Sequence, residues 1–118
     1  MLCPMSVFGS AEPLDWTPEQ VAEKLVAGET ELIDVREPYE REAGHVPGSR
    51  HIELELLASQ AETIPRDRPV VFHCRLGARS GMAARAFRQA GWDVHNLTGG
   101  AEAWVEKGLP FEGSVAPH

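Results

Sequence analysis

The run Pro69-Val70-Val71-Phe72-His73 constrains the fold more than any other segment of the chain. It is apolar at consecutive rather than alternate positions, has the length of a strand, and is bounded by Pro69 on one side and a Gly77-containing loop on the other. A strand of that kind is buried on both faces, as at the centre of a parallel sheet. Leu32-Ile33-Asp34-Val35 and Val94 to Leu97 carry similar signals, and a shorter strand is expected around His51 and Ile52. Helical patterns lie between them. Thr17-Pro18-Glu19-Gln20 combines a capping residue, a first-turn proline and a capping-box glutamine. Val21, Ala22, Leu25 and Val26 then recur at helical spacing, and Gly28 closes the segment. Glu37 to Ala43 predicts a helical turn ended by Gly44, and Leu54, Leu57, Ala58 and Ala61 predict a further helix face. Met82, Ala83, Ala86, Phe87 and Ala90 predict a helix capped by Gly91, and Gly99-Gly100 turns into a last helix with Ala101, Trp104 and Val105 inward. Strands alternating with helices imply right-handed crossovers and an α/β architecture with helices on both faces of a parallel sheet.

At 118 residues the chain has the length of one domain. Residues 14–112 carry the periodic pattern, and the Pro-, Gly- and Ser-containing segments 1–13 and 113–118 are expected to be mobile tails. A net charge of -7 argues against nucleic acid or an anionic membrane as a partner. Two cysteines, Cys3 and Cys74, are too few for a disulfide framework, so a reduced, cytoplasmic setting is expected. No apolar stretch reaches the roughly 20 residues of a membrane span, and Met1 to Ala11 lacks the pattern of a signal peptide. In that setting the Asn96-Leu97-Thr98 sequon is accidental. Five histidines are present, but without a Cys-x-x-Cys or His-x3-His pair neither a metal nor a cofactor is expected.

Ligands of open α/β sheets bind beyond the carboxyl ends of the strands, which directs attention to Cys74-Arg75-Leu76-Gly77-Ala78-Arg79-Ser80. A cysteine between a strand and a helix start lies close to successive N–H groups and a positive helix terminus, a setting that favours thiolate over thiol. Gly77 permits a tight curl. Residues 68–92 hold five arginines and no acid, whereas the rest of the chain has six basic and eighteen acidic residues. Such a basic segment suits a small anionic substrate, which Arg75 or Arg79 could hold through several donors. A buried, inert cysteine beside solvated arginines is the plainer alternative.

This loop resembles the active-site loop of the rhodanese sulfurtransferases. Ile33-Asp34-Val35-Arg36-Glu37 resembles that family's strand-end motif, Gly44-His45-Val46-Pro47-Gly48-Ser49 its turn, and Leu97-Thr98-Gly99-Gly100-Ala101-Glu102-Ala103-Trp104 its last-helix motif. The four motifs occur in the family's order between Leu14 and Glu112. The resemblance implies a rhodanese-like fold around a five-stranded parallel sheet. It further implies two-step transfer of sulfane sulfur with Cys74 as nucleophile. Its donor would be a small anion, thiosulfate or a persulfide. Its acceptor would be cyanide or a thiol, with a thioredoxin-like or other sulfur-acceptor protein among the candidates. The N–H groups from Arg75 through Leu76, Gly77, Ala78 and Arg79 to Ser80 would stabilise the persulfide, and Arg75 and Arg79 would grip the donor.

Asp34, Arg36 and Glu37 are read as supporting residues that orient the loop or hold a local turn. His45 belongs to a turn, and His73, one residue from Cys74, should face the other side of the sheet. Cell-cycle phosphatases of related fold, and with them arsenate-reductase chemistry, use a Cys-x5-Arg loop, whereas Cys74 to Arg79 is Cys-x4-Arg. A mercaptopyruvate-type loop would read Cys-Gly-Ser-Gly. A non-catalytic binding module is the remaining alternative.

Overall fold

Alternation along the strands sorts the side chains of this protein into two cores, one on each face of a single parallel sheet. The computed structural model describes Pro13 to Val115. In chain order the elements are β1 (Asp15–Trp16), α1 (Pro18–Val26), β2 (Glu31–Asp34), α2 (Pro38–Ala43), β3 (Gly44–His45), β4 (Arg50–His51), β5 (Val70–His73), α3 (Ala78–Gln89), β6 (Val94–Leu97), α4 (Gly100–Glu106) and β7 (Glu112–Gly113). Five strands form the main sheet in the order β1-β6-β5-β2-β4, all parallel. The segment Val70–His73 is therefore the central strand, as its unbroken apolar run predicts. Each of its side chains is fully buried. Val70, Phe72 and Cys74 pack with Ile33, Val94 and Ala84 of α3, whereas Val71 packs with Leu32, Val21 of α1 and Trp104 of α4. Full burial of each such side chain stabilises by about 1.5–3 kcal/mol.

Helix α1 starts as its sequence specifies. The Gln20 N–H donates to Thr17 Oγ1 at 3.1 Å, and the Thr17 N–H donates to Gln20 Oε1 at 2.9 Å. The expected faces of α1 and α4 hold for Val21, Leu25, Ala101 and Trp104, and Ala83 and Phe87 of α3 also pack inward, but one residue of each helix does not. Val26, Met82 and Val105 point outward, with exposures of 90, 62 and 41%. In α3 the reason is the close approach of the helix to the sheet. Its buried residues are the small Ser80, Gly81 and Ala84, and a Cβ on Gly81 would lie 3.4 Å from Asn96 Nδ2. A long Met82 side chain fits only on the other side. The helix expected over residues 54–61 is instead two single 3₁₀ turns, Leu54–Leu56 and Ala61–Thr63, which bury Leu57 and Ile64 against the α3 side of the sheet. Gly113 and Ser114, assigned by composition to a tail, join a small antiparallel ribbon: β7 pairs with β3, and the Ser114 N–H donates to Ala43 O at 2.9 Å. The segments 1–12 and 116–118, with Cys3, lie outside the described residues.

A buried ion pair anchors the end of β2. Arg36 donates from Nε to Asp34 Oδ1 and from Nη2 to Asp34 Oδ2, both at 2.8 Å, and neither side chain is exposed. Nη2 also reaches Gly44 O at 2.7 Å, which fixes the end of α2. Arg41 lies 3.5 Å from Asp34 and donates to Ser49 Oγ and Ser49 O, so the turn before β4 joins the same cluster. His73, fully buried, faces Asp34 at 3.8 Å, beyond hydrogen-bond range. Burial raises the Asp34 carboxyl, but the Arg36 hydrogen bonds and charge outweigh it and hold the group at about 2.

Acid should therefore weaken this protein over two pH windows. Burial keeps His73 and His95 below the 6.5 of an ordinary imidazole, so below that pH the unfolded chain takes up protons that the native chain refuses. Asp34 adds about 2 kcal/mol of stability, complete above its ordinary 3.8 and lost as the pH falls through about 2. As the pH falls, the urea midpoint should decline first below about pH 6.5 and again below about pH 4. A midpoint that does not change between about pH 7 and pH 5 would show that the buried histidines protonate freely.

Candidate active site

Beyond His73 the central strand leaves the ladder, and the next peptide groups are partnered from two directions. Outside the loop, the Ala101 N–H donates to Cys74 O at 2.9 Å and the Glu102 N–H to Arg75 O at 3.1 Å. These donors belong to the first turn of α4, and their approach leaves no room at Gly100, where a Cβ would lie 2.5 Å from Cys74 O. Inside the loop, N–H groups turn toward the cysteine. Sγ of Cys74 accepts from Gly77 N–H at 3.1 Å and from Ser80 N–H at 3.4 Å, and the Ser80 hydroxyl lies 3.4 Å away. Gly77 heads α3 with φ +105, a left-handed conformation that favours glycine and aims the N–H inward.

These contacts act on the thiol. Burial pushes it up, but the Ser80 hydroxyl and the N–H groups of Ser80, Gly77 and Leu76 favour the thiolate more strongly, and the net shift is downward from 9.0. The arrangement can hold a negative sulfur in a low-dielectric pocket without water as partner. Cys74 itself is only 1% exposed.

The structure brings Leu76, Gly77 and Ser80 to the sulfur through these donors. Leu76 is exposed on the rim, and Ala78 opens α3 at the surface. The two loop arginines turn to carboxylates. Arg75 contacts Glu102 Oε2 through Nε at 2.9 Å and Nη2 at 2.8 Å. Arg79 forms a two-pronged pair with Glu40, at 3.1 and 3.2 Å. Arg68 lies 3.5 Å from Glu31. The positive segment of the sequence is thus largely neutralised in space by acids from distant elements. Burial raises the Glu40 carboxyl, but the Arg79 hydrogen bond and charge outweigh it and lower it below 4.5.

Glu40 had no signal in the sequence. It is 2% exposed, and its Oε1 also accepts the Glu37 N–H at 2.9 Å. Through it the start of α2 is tied to Arg79, and the charge of Arg36 behind it also favours the ionised carboxyl. Asn96 also belongs to the site, at a position that strand parity along β6 points to. It lies on the same side of β6 as Val94, facing α3, and accepts from Ser80 Oγ at 2.6 Å. His73 faces away from the sulfur, as alternation requires, and His45 lies 3.4 Å from Glu112 across the β3–β7 ribbon. Among the described residues, no group of three or more His, Cys, Asp or Glu side chains is placed to hold a metal ion, and no helix is long and apolar enough to cross a membrane.

The midpoint of Cys74 alkylation by iodoacetamide as a function of pH should lie below 9.0. In Ser80→Ala it should rise by about half a unit to one unit, the value of one net hydrogen bond to the anion. An unshifted midpoint would remove the hydroxyl from the cradle.

Comparison with known proteins agrees with this geometry. Residues 17–107 match the family described as Rhodanese-like domain. A protein of Allochromatium vinosum named "Sulfurtransferase" is 41% identical over 87 residues, covering 73% of this chain and 78% of that one. The Pseudomonas aeruginosa protein named "Thiosulfate sulfurtransferase GlpE" is 39% identical over 88 residues, 74% of this chain and 79% of its own. A Bacillus subtilis protein is 44% identical over 78 residues, although the match spans only 62% of its length. The crystal structure of a rhodanese-related protein from Thermoplasma volcanium superposes with a TM-score of 0.78 at 26% identity, covering 84% of this chain and 97% of that one. With the N–H cradle around Cys74 at the end of the central strand, these matches establish that the chain belongs to the rhodanese-like domain family.

Proposed function

We propose that this protein is a sulfurtransferase that carries sulfane sulfur on Cys74 as a persulfide. The observation that carries the reading is the set of donors converging on one sulfur atom, which suits an anionic sulfur before and after loading. In the first step the Cys74 thiolate attacks the outer sulfur of the donor. A new S–S bond forms, the donor's own bond to that sulfur breaks, and sulfite or a thiolate departs with the electron pair. In the second step cyanide or an acceptor thiolate attacks the terminal sulfur, and the bonding pair returns to Cys74. The N–H groups of Gly77 and Ser80 stabilise the charge in each state, so no general base is required. A thioredoxin-like or other thiol-bearing protein is the acceptor we favour, in the reducing cytoplasm where such thiols persist.

The name of the Pseudomonas aeruginosa relative supports thiosulfate as one donor. A persulfide donor is supported by the ion pairs of Arg75 and Arg79, which leave little free positive charge at the rim. Phosphate chemistry is disfavoured by the four-residue spacing from Cys74 to Arg79 and by the engagement of Arg79 with Glu40.

Intact-protein mass spectrometry should show a gain of one sulfur after thiosulfate or a persulfide donor, its loss after cyanide, and no gain in Cys74→Ser. Absence of the adduct with every donor would overturn the reading. A second expectation concerns the rim: Glu102→Gln frees the Arg75 guanidinium and should lower KM for thiosulfate about threefold, the scale of one exposed charge pair. An unchanged KM would place the sulfonate away from Arg75.

A further inference from the structure

The side chain of Asn96 is held in one orientation by groups with fixed roles. Its Nδ2 lies 3.0 Å from Asp15 Oδ1 and 3.3 Å from Gly77 O. A carboxylate and a carbonyl only accept, so the amide nitrogen must face them and Oδ1 must face Ser80. Ser80 has one hydroxyl hydrogen and two neighbours that can take it. Asn96 Oδ1 is at 2.6 Å and Cys74 Sγ at 3.4 Å. The shorter contact takes the hydrogen while the sulfur is protonated, which leaves the hydroxyl lone pairs to receive the thiol S–H.

We propose that Asn96 is a positioning residue that decides, through Ser80, whether the Cys74 sulfur meets a hydrogen-bond acceptor or a donor. In the thiol state the hydrogens run from Sγ–H to Ser80 Oγ and from Ser80 O–H to Asn96 Oδ1. When the thiol proton leaves to solvent, the hydroxyl turns and donates to the sulfur, and Asn96 Oδ1 gives up its hydrogen. Asn96 thus competes with the thiolate for a single hydrogen, which makes ionisation of the sulfur harder than it would be with the hydroxyl free. The same hydroxyl turns toward the terminal region of a loaded persulfide. The charged groups of the surrounding elements are Arg79 with Glu40, Arg75 with Glu102, and Asp15 beyond Asn96, while His73 lies on the opposite face of the sheet. Replacing Asn96 removes none of them.

The proposal deepens the reading of Cys74 as the nucleophile. Alkylation reports the thiolate directly, so its outcome is separable from whether sulfur is transferred. The test measures the pH midpoint of Cys74 reaction with iodoacetamide, resolved from Cys3 by peptide mass, for Asn96→Leu in the native and Ser80→Ala backgrounds. With Ser80 present the midpoint should fall by about half a unit to one unit, because the hydroxyl is released to the sulfur. In the Ser80→Ala background it should not move. Equal shifts in both backgrounds, an upward shift, or no shift with Ser80 present would each overturn the proposal, since Asn96 would then act on loop geometry alone. Should Asn96→Leu not fold, Asn96→Ala carries the same test without removing a charge: it takes away the competing acceptor, and the downward shift must again require the Ser80 hydroxyl.

Discussion

Every peptide group that leaves a buried strand must find a new partner, and at the end of β5 that requirement builds the site. The carbonyls of Cys74 and Arg75 are taken by the first turn of α4, and the N–H groups that follow close on the cysteine sulfur instead of on water. Strand, loop and two helix starts are locked together by that exchange. It also explains why Gly100 has no space for a side chain and why Gly77 adopts a left-handed conformation. The cradle is thus a consequence of satisfying backbone groups at the centre of a parallel sheet, and the proposed chemistry would use what the fold leaves pointing inward.

Around this centre, charge is managed by pairing. Asp34 and Arg36 are buried together, and removing Asp34 would leave the Arg36 guanidinium without its counter-charge in the core, a change that costs about 3–5 kcal/mol. Arg36 reaches Gly44, Arg41 reaches Ser49, and Glu40 reaches Arg79, so α2 and its flanking turns are tied to both the β2 end and the active-site loop. The residues read as supporting on sequence grounds therefore connect to the site through Glu40 and not by touching the sulfur.

Much of this was legible in one sequence because its signals are local. The central strand follows from an unbroken apolar run, the α1 start from Thr17 and Gln20, and the position of Cys74 from its place after β5. The opposed directions of Cys74 and His73 follow from strand alternation. Where several of a helix's residues are small, apolar spacing misdirects: Ser80, Gly81 and Ala84 face the sheet in α3 and Met82 does not. Residues 54–61 carry apolar spacing but bury only Leu57, and two short turns achieve that as well as a helix would.

The linear order of residues 68–92 suggested a positive patch, and the folded chain pairs three of its five arginines, Arg68, Arg79 and Arg75, with Glu31, Glu40 and Glu102. Those acids lie tens of residues away, so no window along the chain could count them. Parity along β6 puts Asn96 on the α3 side of the sheet, but only the fold brings it to the Ser80 hydroxyl. By itself the sequence determined the central strands β2, β5 and β6, the place of Cys74 at the end of β5, its loop and the family resemblance, all of which depend on neighbours in the chain. Only the tertiary structure decided the net charge at the rim and the hydrogen-bond partner of Ser80, because both depend on distances closed by the parallel sheet.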